Sequence, residues 1–436
     1  AVGGNAGGGI TTGSYNVLVG QGAGCQITTV SNIVAVGHKA LFNNTSGTNN
    51  TAVGYSALYD LVDGTENVAI GYRAGYESTS ASSNVNIGSD AGRETTTGGH
   101  NVCIGKSAGV LMTDSVSNVF IGSEAGLLYT GSNGENVAIG KEAMESIDGG
   151  YGNTVVGNEA MKTTGSSNNP LYCVAVGYQA LNKTTTGDYN VAMGYRAGYE
   201  ITTGTDNVSL GRNAGDAITN AIRTVSVGTL ALTSSQSSTG DVAVGYFALG
   251  NMNGSGTNVG LGYQAGDLIT SGTANVVVGY DADVSANSAV NQIVIGKDAT
   301  GQGDNYAVIG NADVTRVYIA QDGAGVLYAD GTINTSDKRL KENIEDSDLG
   351  LDFVNKLRPV RYNYIKDKHD GKTKYGIIAQ EVQEVLKESN NEDFAGIKDG
   401  DEYLGADYNQ FVAPLIKAVQ ELSAEVKSLK KQLEEK

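Results

Sequence analysis

Nineteen glycines stand at Gly3, Gly20, Gly37, Gly54, Gly71, Gly88, Gly105, Gly122, Gly140, Gly157, Gly177, Gly194, Gly211, Gly228, Gly245, Gly262, Gly279, Gly296 and Gly310, and 15 of the 18 intervals between them are 17 residues. A period held over three hundred residues limits the fold more than any other feature. Each unit is too small to bury an apolar face alone, so successive units must stack. Ala lies three residues after the glycine in 18 of the 19 units. Val, Ile, Leu or Met usually fills the positions one and three before it, the alternation of a half-buried strand. Asn stands four before it in 12 units, following turn-forming runs such as TTGDY and DGTE. A 17-residue coil has room for two strands of about five residues and two turns, and 18 rungs spaced by about 4.8 Å predict a parallel β-solenoid of about 85 Å.

The apolar residues crowd into one stretch per coil, V-A-V-G-Y-x-A, while Ser, Thr, Asn and Gly dominate the remainder. With 62 Gly, 3 Pro, no Trp and 17% charged residues, the coil encloses only a thin core. Its apolar stretch is therefore expected to pack on neighbouring copies, with a homotrimer or similar bundle as the natural solution. The net charge of −18 divides into −14 over residues 1–335 and −4 over residues 336–436. An acidic, sparsely charged shaft has none of the clustered Lys and Arg that nucleic acid or an anionic membrane surface requires. No apolar run approaches the roughly 18 residues of a membrane span, so no membrane insertion is expected. No segment reads as a signal peptide. Ala1 falls in mid-pattern, as expected where sequence lies upstream.

Cys25, Cys103 and Cys173 lie far apart and form no CxxC pair, which reads as buried small hydrophobes or free thiols. His38, His100 and His369 are equally scattered, so neither a metal nor a cofactor is expected. Two further columns admit two readings each. Tyr follows the glycine in seven units (Tyr55, Tyr72, Tyr178, Tyr195, Tyr246, Tyr263, Tyr280), as a sugar-stacking stripe or, more plainly, an aromatic ladder between rungs. Thr lies eight after it in eleven units, Thr28, Thr45, Thr79, Thr96, Thr113 and Thr202 among them. A flat Thr rank suits ice, but the partner rank two residues away is often Gly, which favours a hydroxyl ladder supporting the second strand.

Units of the form N-V-A-I-G-x-x-A-G, as in NVAIGYRAG at 67–75, resemble the head repeats of trimeric autotransporter adhesins. The resemblance covers residues 1 to about 300 and implies a left-handed parallel β-roll; the unit here is slightly longer than usual in that family. Beyond Gly296 the register decays. YAVIGNADVTRVYIAQDGAGVLYADGTIN (306–334) reads as short strands with Gly turns, so residues 301–335 form a tapering β neck.

Residues 336–436 read as α+β. LGLDFVNKL (349–357) is helical, VRYNYI (360–365) and KYGIIA (374–379) are strands, QEVQEVLKE (380–388) is a helix, and a long helix runs from about Asp407. Within it Leu415, Val419, Leu422, Val426, Leu429 and Leu433 are spaced 4-3-4-3-4, the seam of a coiled coil over 413–436. At the junction, Ser336 precedes Lys341 by five residues. A Ser hydroxyl becomes a nucleophile when a base takes its proton, and a Lys whose pKa is depressed by burial can be that base. Ser336 could equally cap a helix, although Arg339 is not the Glu or Gln of a capping box.

SDKRLKENI (336–344), LRPVRYNY (357–364), YGIIAQEV (375–382) and APLIKAVQEL (413–422), in that order, resemble the C-terminal intramolecular chaperone autopeptidase of phage tail spikes and fibres, the endosialidase-type chaperone domain. That resemblance implies a domain that trimerises a β-structured stalk and then cuts itself off, a single-turnover Ser/Lys peptidase. It implies Ser336 as nucleophile, Lys341 as base and cleavage between Thr335 and Ser336. The physical logic agrees: a rod of near-identical rungs slips readily by 17 residues, and a domain that trimerises first sets the register. Cleavage then makes assembly irreversible.

The expectation is thus a homotrimeric virion fibre or spike, made in the host cytoplasm and displayed on the exterior, with a host-surface glycan or protein as receptor. The main rival, a bacterial trimeric surface adhesin, would need a C-terminal membrane β-barrel, where this chain has LKKQLEEK. A polysaccharide-degrading spike would need paired carboxylates in a cleft, and the acidic residues keep no fixed column. An ice-binding solenoid is the remaining alternative, and no multiple-turnover activity is expected of the stalk.

Overall fold

The structure, a computed structural model, describes residues 1–163, 168–237, 239–254, 256–317, 338–363, 373–399 and 403–435. The chain forms two compact units, Ala1–Val317 and Tyr318–Lys436.

The first unit is a parallel β-solenoid. Among the described residues, eighteen three-residue strands, from β1 (Val17–Val19) to β18 (Ala307–Ile309), form one sheet in which each strand pairs with the next along the chain. The register is the repeat itself: Val34 pairs with Thr51, Ala35 with Ala52 and Val36 with Val53. The expected pair of five-residue strands per coil is not found. One short strand carries each rung and bends and turns complete it, with only isolated bridges such as Thr205–Ile222 on the other side. The cause lies after the glycine, where residues enter the left-handed region, Arg73 with φ 52° and Leu58 with φ 49° among them, which ends a strand. The glycine is required outright. Gly71 has φ +144°, and a Cβ there would stand 2.3 Å from the Gly88 carbonyl oxygen of the next rung.

The middle residue of each strand, two before the glycine, points inward, as at Ala35, Ala69, Cys103, Phe120 and Val277. The Ala three after the glycine is buried beside it. The opposite wall comes from positions four and seven after the glycine, where Leu41, Leu58, Ile27, Leu61, Ile201 and Ile269 are fully buried. This wall lies beyond the V-A-V-G-Y-x-A stretch into which the apolar residues of each coil were expected to crowd.

The Asn column is a buried ladder. Asn84 donates its backbone N–H to Asn67 Oδ1 at 3.0 Å and its Nδ2 to Gly98 O at 2.9 Å. Its own Oδ1 accepts from the N–H of Asn101 at 2.9 Å. Each Asn therefore satisfies backbone groups that the turns leave without a strand partner. Cys173 interrupts the column and keeps part of the pattern, its N–H donating to Asn153 Oδ1 at 2.9 Å and its thiol to Gly187 O at 3.3 Å. Cys103 and Cys173 are buried free thiols, as expected, with burial pushing their pKa up to about 12 and about 11.

The second unit is small and α+β. Helix α1 (Leu351–Lys356) precedes β19 (Val360–Tyr362), which pairs antiparallel with β20 (Lys374–Gly376). Then come α2 (Ala379–Glu388), the hairpin of β21 (Ile397–Asp399) and β22 (Leu404–Ala406), and α3 (Val412–Glu434). Its core is Leu349, Phe353, Val382, Leu386 and Phe411. The expected helix, strand, strand, helix, long-helix order is found, with α3 entered through a 3-10 turn at Tyr408–Phe411.

Candidate functional site

Of the expected site, Thr335 and Ser336 lie outside the described residues, as does most of the neck after Val317. Lys341 follows a 3-10 turn at Lys338–Leu340, donates its backbone N–H to Lys338 O at 3.2 Å, and is exposed in the single chain.

The sequence blocks downstream meet one another. Val360–Tyr362 of the LRPVRYNY block pairs with Lys374–Gly376, which leads into the YGIIAQEV block. Arg358 grips Glu381 with both arms of its guanidinium, Nε to Oε2 at 3.0 Å and a second, shorter bond from its terminal nitrogen to Oε1. Arg358 holds the Glu381 carboxyl below the usual carboxylate range, the fork-to-fork geometry Lys cannot make. From the fourth block, Glu421 Oε2 accepts the N–H of Leu351 at 2.7 Å, capping α1 from α3. The hydroxyl of Tyr408 accepts the N–H of Ile377 at 3.1 Å. Of these residues Arg358, Glu381 and Glu421 stand in the sequence blocks as charged side chains, whereas Leu351 and Tyr408 lie outside them.

Among the described residues, one face of the long helix is left uncovered. Leu415, Val419, Leu422, Val426, Leu429 and Leu433, the predicted seam, are all exposed, Val419 at 65%. At the helix base an apolar cleft of about 210 Å³ is lined by Val354, Leu357, Pro359, Ile377, Pro414 and Leu415 among others.

The rod presents a corresponding face. The strand positions one and three before the glycine point outward, and so do the Tyr after it. Val17, Ile70, Ile139, Met193, Leu261 and Ile293 are exposed in these columns. The Tyr column is a ladder: Tyr246, Tyr263 and Tyr280 stack with centroids 5.2 and 4.8 Å apart, and Tyr178 on Tyr195 at 5.4 Å. The Thr column is the expected hydroxyl ladder, since Thr79, Thr96 and Thr202 donate to the carbonyl of the next rung at 3.1, 2.9 and 3.1 Å. Hydroxyls already engaged in this way form no free rank for ice. Among the described residues no group of three His, Cys, Asp or Glu side chains is placed to hold a metal, and no helix is long and apolar enough to cross a membrane.

Comparison with known proteins fits this arrangement. Residues 336–390 match the family described as Chaperone of endosialidase, so the chain carries such a domain towards its C-terminal end. Two curated relatives are similar: Long tail fiber protein Gp37 of Enterobacteria phage K3 and of Enterobacteria phage T2, each 36% identical over 119 residues. Each match covers 25% of this chain and 9% of the relative's length.

Proposed function

We propose that this chain is a subunit of a homotrimeric virion fibre whose C-terminal domain directs trimerisation and then removes itself by cutting between Thr335 and Ser336. The observation that carries the reading is the position of the domain match, which begins at Ser336 and follows in sequence a solenoid of uniform rungs. The likeness to long tail fibres supports a virion location, with the rod outside and contributing to attachment to a host surface.

The exposed faces support the trimer. A stripe of Val, Ile and Tyr running the length of a rod is far more apolar surface than a monomer leaves in water. Because every rung repeats it in the same place, three parallel copies around one axis bury it everywhere at once. The exposed seam of α3 and the cleft at its base ask for the same neighbours.

In the cut, Ser336 Oγ attacks the Thr335 carbonyl carbon as Lys341 Nζ takes its proton. The bond from that carbon to the Ser336 nitrogen breaks, the nitrogen receives the proton, and water hydrolyses the resulting ester. Lys341 is exposed in the single chain, and burial is what depresses a Lys pKa toward a working base. Assembly would supply that burial, so cleavage would follow trimerisation. Denaturing intact mass on freshly expressed protein tests this. The expected result is a 335-residue and a 101-residue piece from wild type, with Ser336→Ala and Lys341→Ala intact. Trimeric wild type that stays whole would reduce the domain to a permanent cap.

A further inference from the structure

The outward stripe of the rod has two edges, and their sequences differ. In each rung the strand is flanked at one end by the residue just after the glycine and at the other by the residue five before it. Only six residues of a 17-residue coil separate the two, so within a rung they differ in height by less than about 2 Å. The first edge carries formal charge at Lys106, Lys141, Arg212 and Lys297, all basic. The second carries it at Glu66, Glu135, Asp206 and Arg223, three of them acidic.

Rung by rung the two edges match. Lys141 shares a rung with Glu135, and Arg212 shares one with Asp206. No rung sets formal charges of one sign at both edges. The aromatic residues follow the same rule. Tyr178 stacks on Tyr195 at 5.4 Å along the first edge, and in the same two rungs Tyr172 stacks on Tyr189 at 5.6 Å along the second. All four rings are half-exposed. Glu135, Asp206 and Arg212 are exposed too and join no ion pair among the described residues. Lys141 pairs with Glu142 at 2.6 Å yet keeps 58% of its side chain in solvent. Nothing within one chain requires the match, since the strand stands between the two edges, as Val137–Ile139 and Val208–Leu210 do. The units of 18 and 20 residues also leave this segment intact: Val137 still pairs with Val119, and Val174 with Thr154.

We infer that in the assembled fibre the first edge of each copy meets the second edge of the next copy at the same rung. Lys141 then pairs with Glu135 of the neighbour and Arg212 with its Asp206, and in the two rungs between Tyr178 and Tyr195 pack on its Tyr172 and Tyr189. The junction rests on the homotrimer proposed above. Three parallel strands set around one axis all run in the same rotational sense, so the end of each meets the start of the next. The two columns that meet are then the two that complement each other, whereas copies packed through like edges would set Lys141 against Lys141. Exposed pairs of this kind are worth little each and are screened by salt, so they discriminate between alignments rather than bring one about.

The test expresses the full chain with Cys25→Ser, which leaves the buried Cys103 and Cys173 as its thiols. Light scattering is read first, and a rod that is not trimeric overturns the assembly reading and this junction with it. In a trimeric rod, Glu135→Cys combined with Lys141→Cys should be joined by a short bismaleimide into covalent trimers on a denaturing gel. Either substitution alone should leave monomers. Dimers from a single substitution, or no cross-link from the combination, would overturn the junction and leave the trimer standing. A second arm reverses charge. Arg212→Asp sets acid against acid three times per trimer and should raise the trimer dissociation constant about tenfold, with the circular dichroism of the rod unchanged. Adding Asp206→Arg should bring it back to within about threefold of wild type. A swapped protein no tighter than Arg212→Asp alone also overturns the junction.

Discussion

The rod and the C-terminal unit solve stability in opposite ways. In the rod each rung has nearly the same few buried residues and touches only its neighbours, so stability is a sum of similar local terms. The Asn ladder, the buried Ala column and the stacked Tyr repeat without marking any rung as special. The C-terminal unit gathers one core, around Phe353 and Phe411, and fixes it with unique pairs, Arg358 with Glu381 and Leu351 with Glu421. Its long helix has an apolar seam left in water. A structure without landmarks cannot set its own alignment between chains, and on the function proposed above the landmark-rich C-terminal unit does so for it. The contrast explains why the two occur together.

The largest effect expected from breaking this division is removal of residues 336–436. The rod sequence is unchanged, yet soluble in-register trimers should give way to aggregates, read by light scattering after size exclusion. A truncated rod that trimerises uniformly would show that register information resides in the rungs. Next comes Gly71→Ala. The new Cβ meets a backbone oxygen at 2.3 Å in a conformation with φ +144°, which costs about 3 kcal/mol or more. Because the rod is one-dimensional, hydrogen exchange should rise in the rungs on either side and nowhere else. Asn101→Ala follows at about 2–3 kcal/mol, since it strips partners from the N–H of Asn118 and the carbonyl of Ser115, 2.9 and 2.7 Å away. By contrast Leu422→Ala, on the exposed seam, should leave the melting of the C-terminal unit's own core unchanged while lowering trimer yield.

Much of this was legible in the sequence because a repeat presents each structural demand some eighteen times. The glycine column, the inward Ala and the Thr ladder are each set by contacts within or between adjacent rungs. The expected five-residue strands failed because alternation of Val and Ile describes direction, not length. Left-handed residues such as Leu58 and Arg73 end the strand, and nothing in their side chains announces that φ. The inner wall of Leu41, Leu58 and Ile201 was missed since Gly, Leu and Met alternate there irregularly. In the C-terminal unit the element order was readable, but the Arg358–Glu381 pair joins residues 23 apart, a distance that no period encodes.

Two smaller effects sharpen the comparison inside the rod, where charge is rare. Asp283 is pushed up to about 7, first by burial and then by the Asp267 carboxylate on the preceding rung, against the backbone N–H groups of Val284 and Leu268. A carboxyl raised in the folded state stabilises it when protonated. That contribution is complete below about pH 4, the ordinary range, and is lost as pH rises through about 7. Asp283→Asn should therefore match wild type near pH 4 and exceed it at pH 8, by about 1 kcal/mol once the pair's partial exposure is discounted. Melting curves of both proteins across that range would decide it, and a constant difference between them would mean the two carboxyls do not share a proton.

The smallest expected effect is that of Tyr263→Leu. It removes the middle ring of the Tyr246–Tyr263–Tyr280 stack while keeping an apolar side chain on the outward stripe. Edge and stacking terms between rings are worth about 0.5–1.5 kcal/mol beyond area, and half-exposed rings lie at the low end. If the column is a ladder within each chain, the loss appears equally in rods held as monomers by dilution and in trimers. If the rings instead lock onto neighbouring copies, the monomer is indifferent and the trimer alone loses stability, which would move the column from the rod's own stacking to the surface shared between chains.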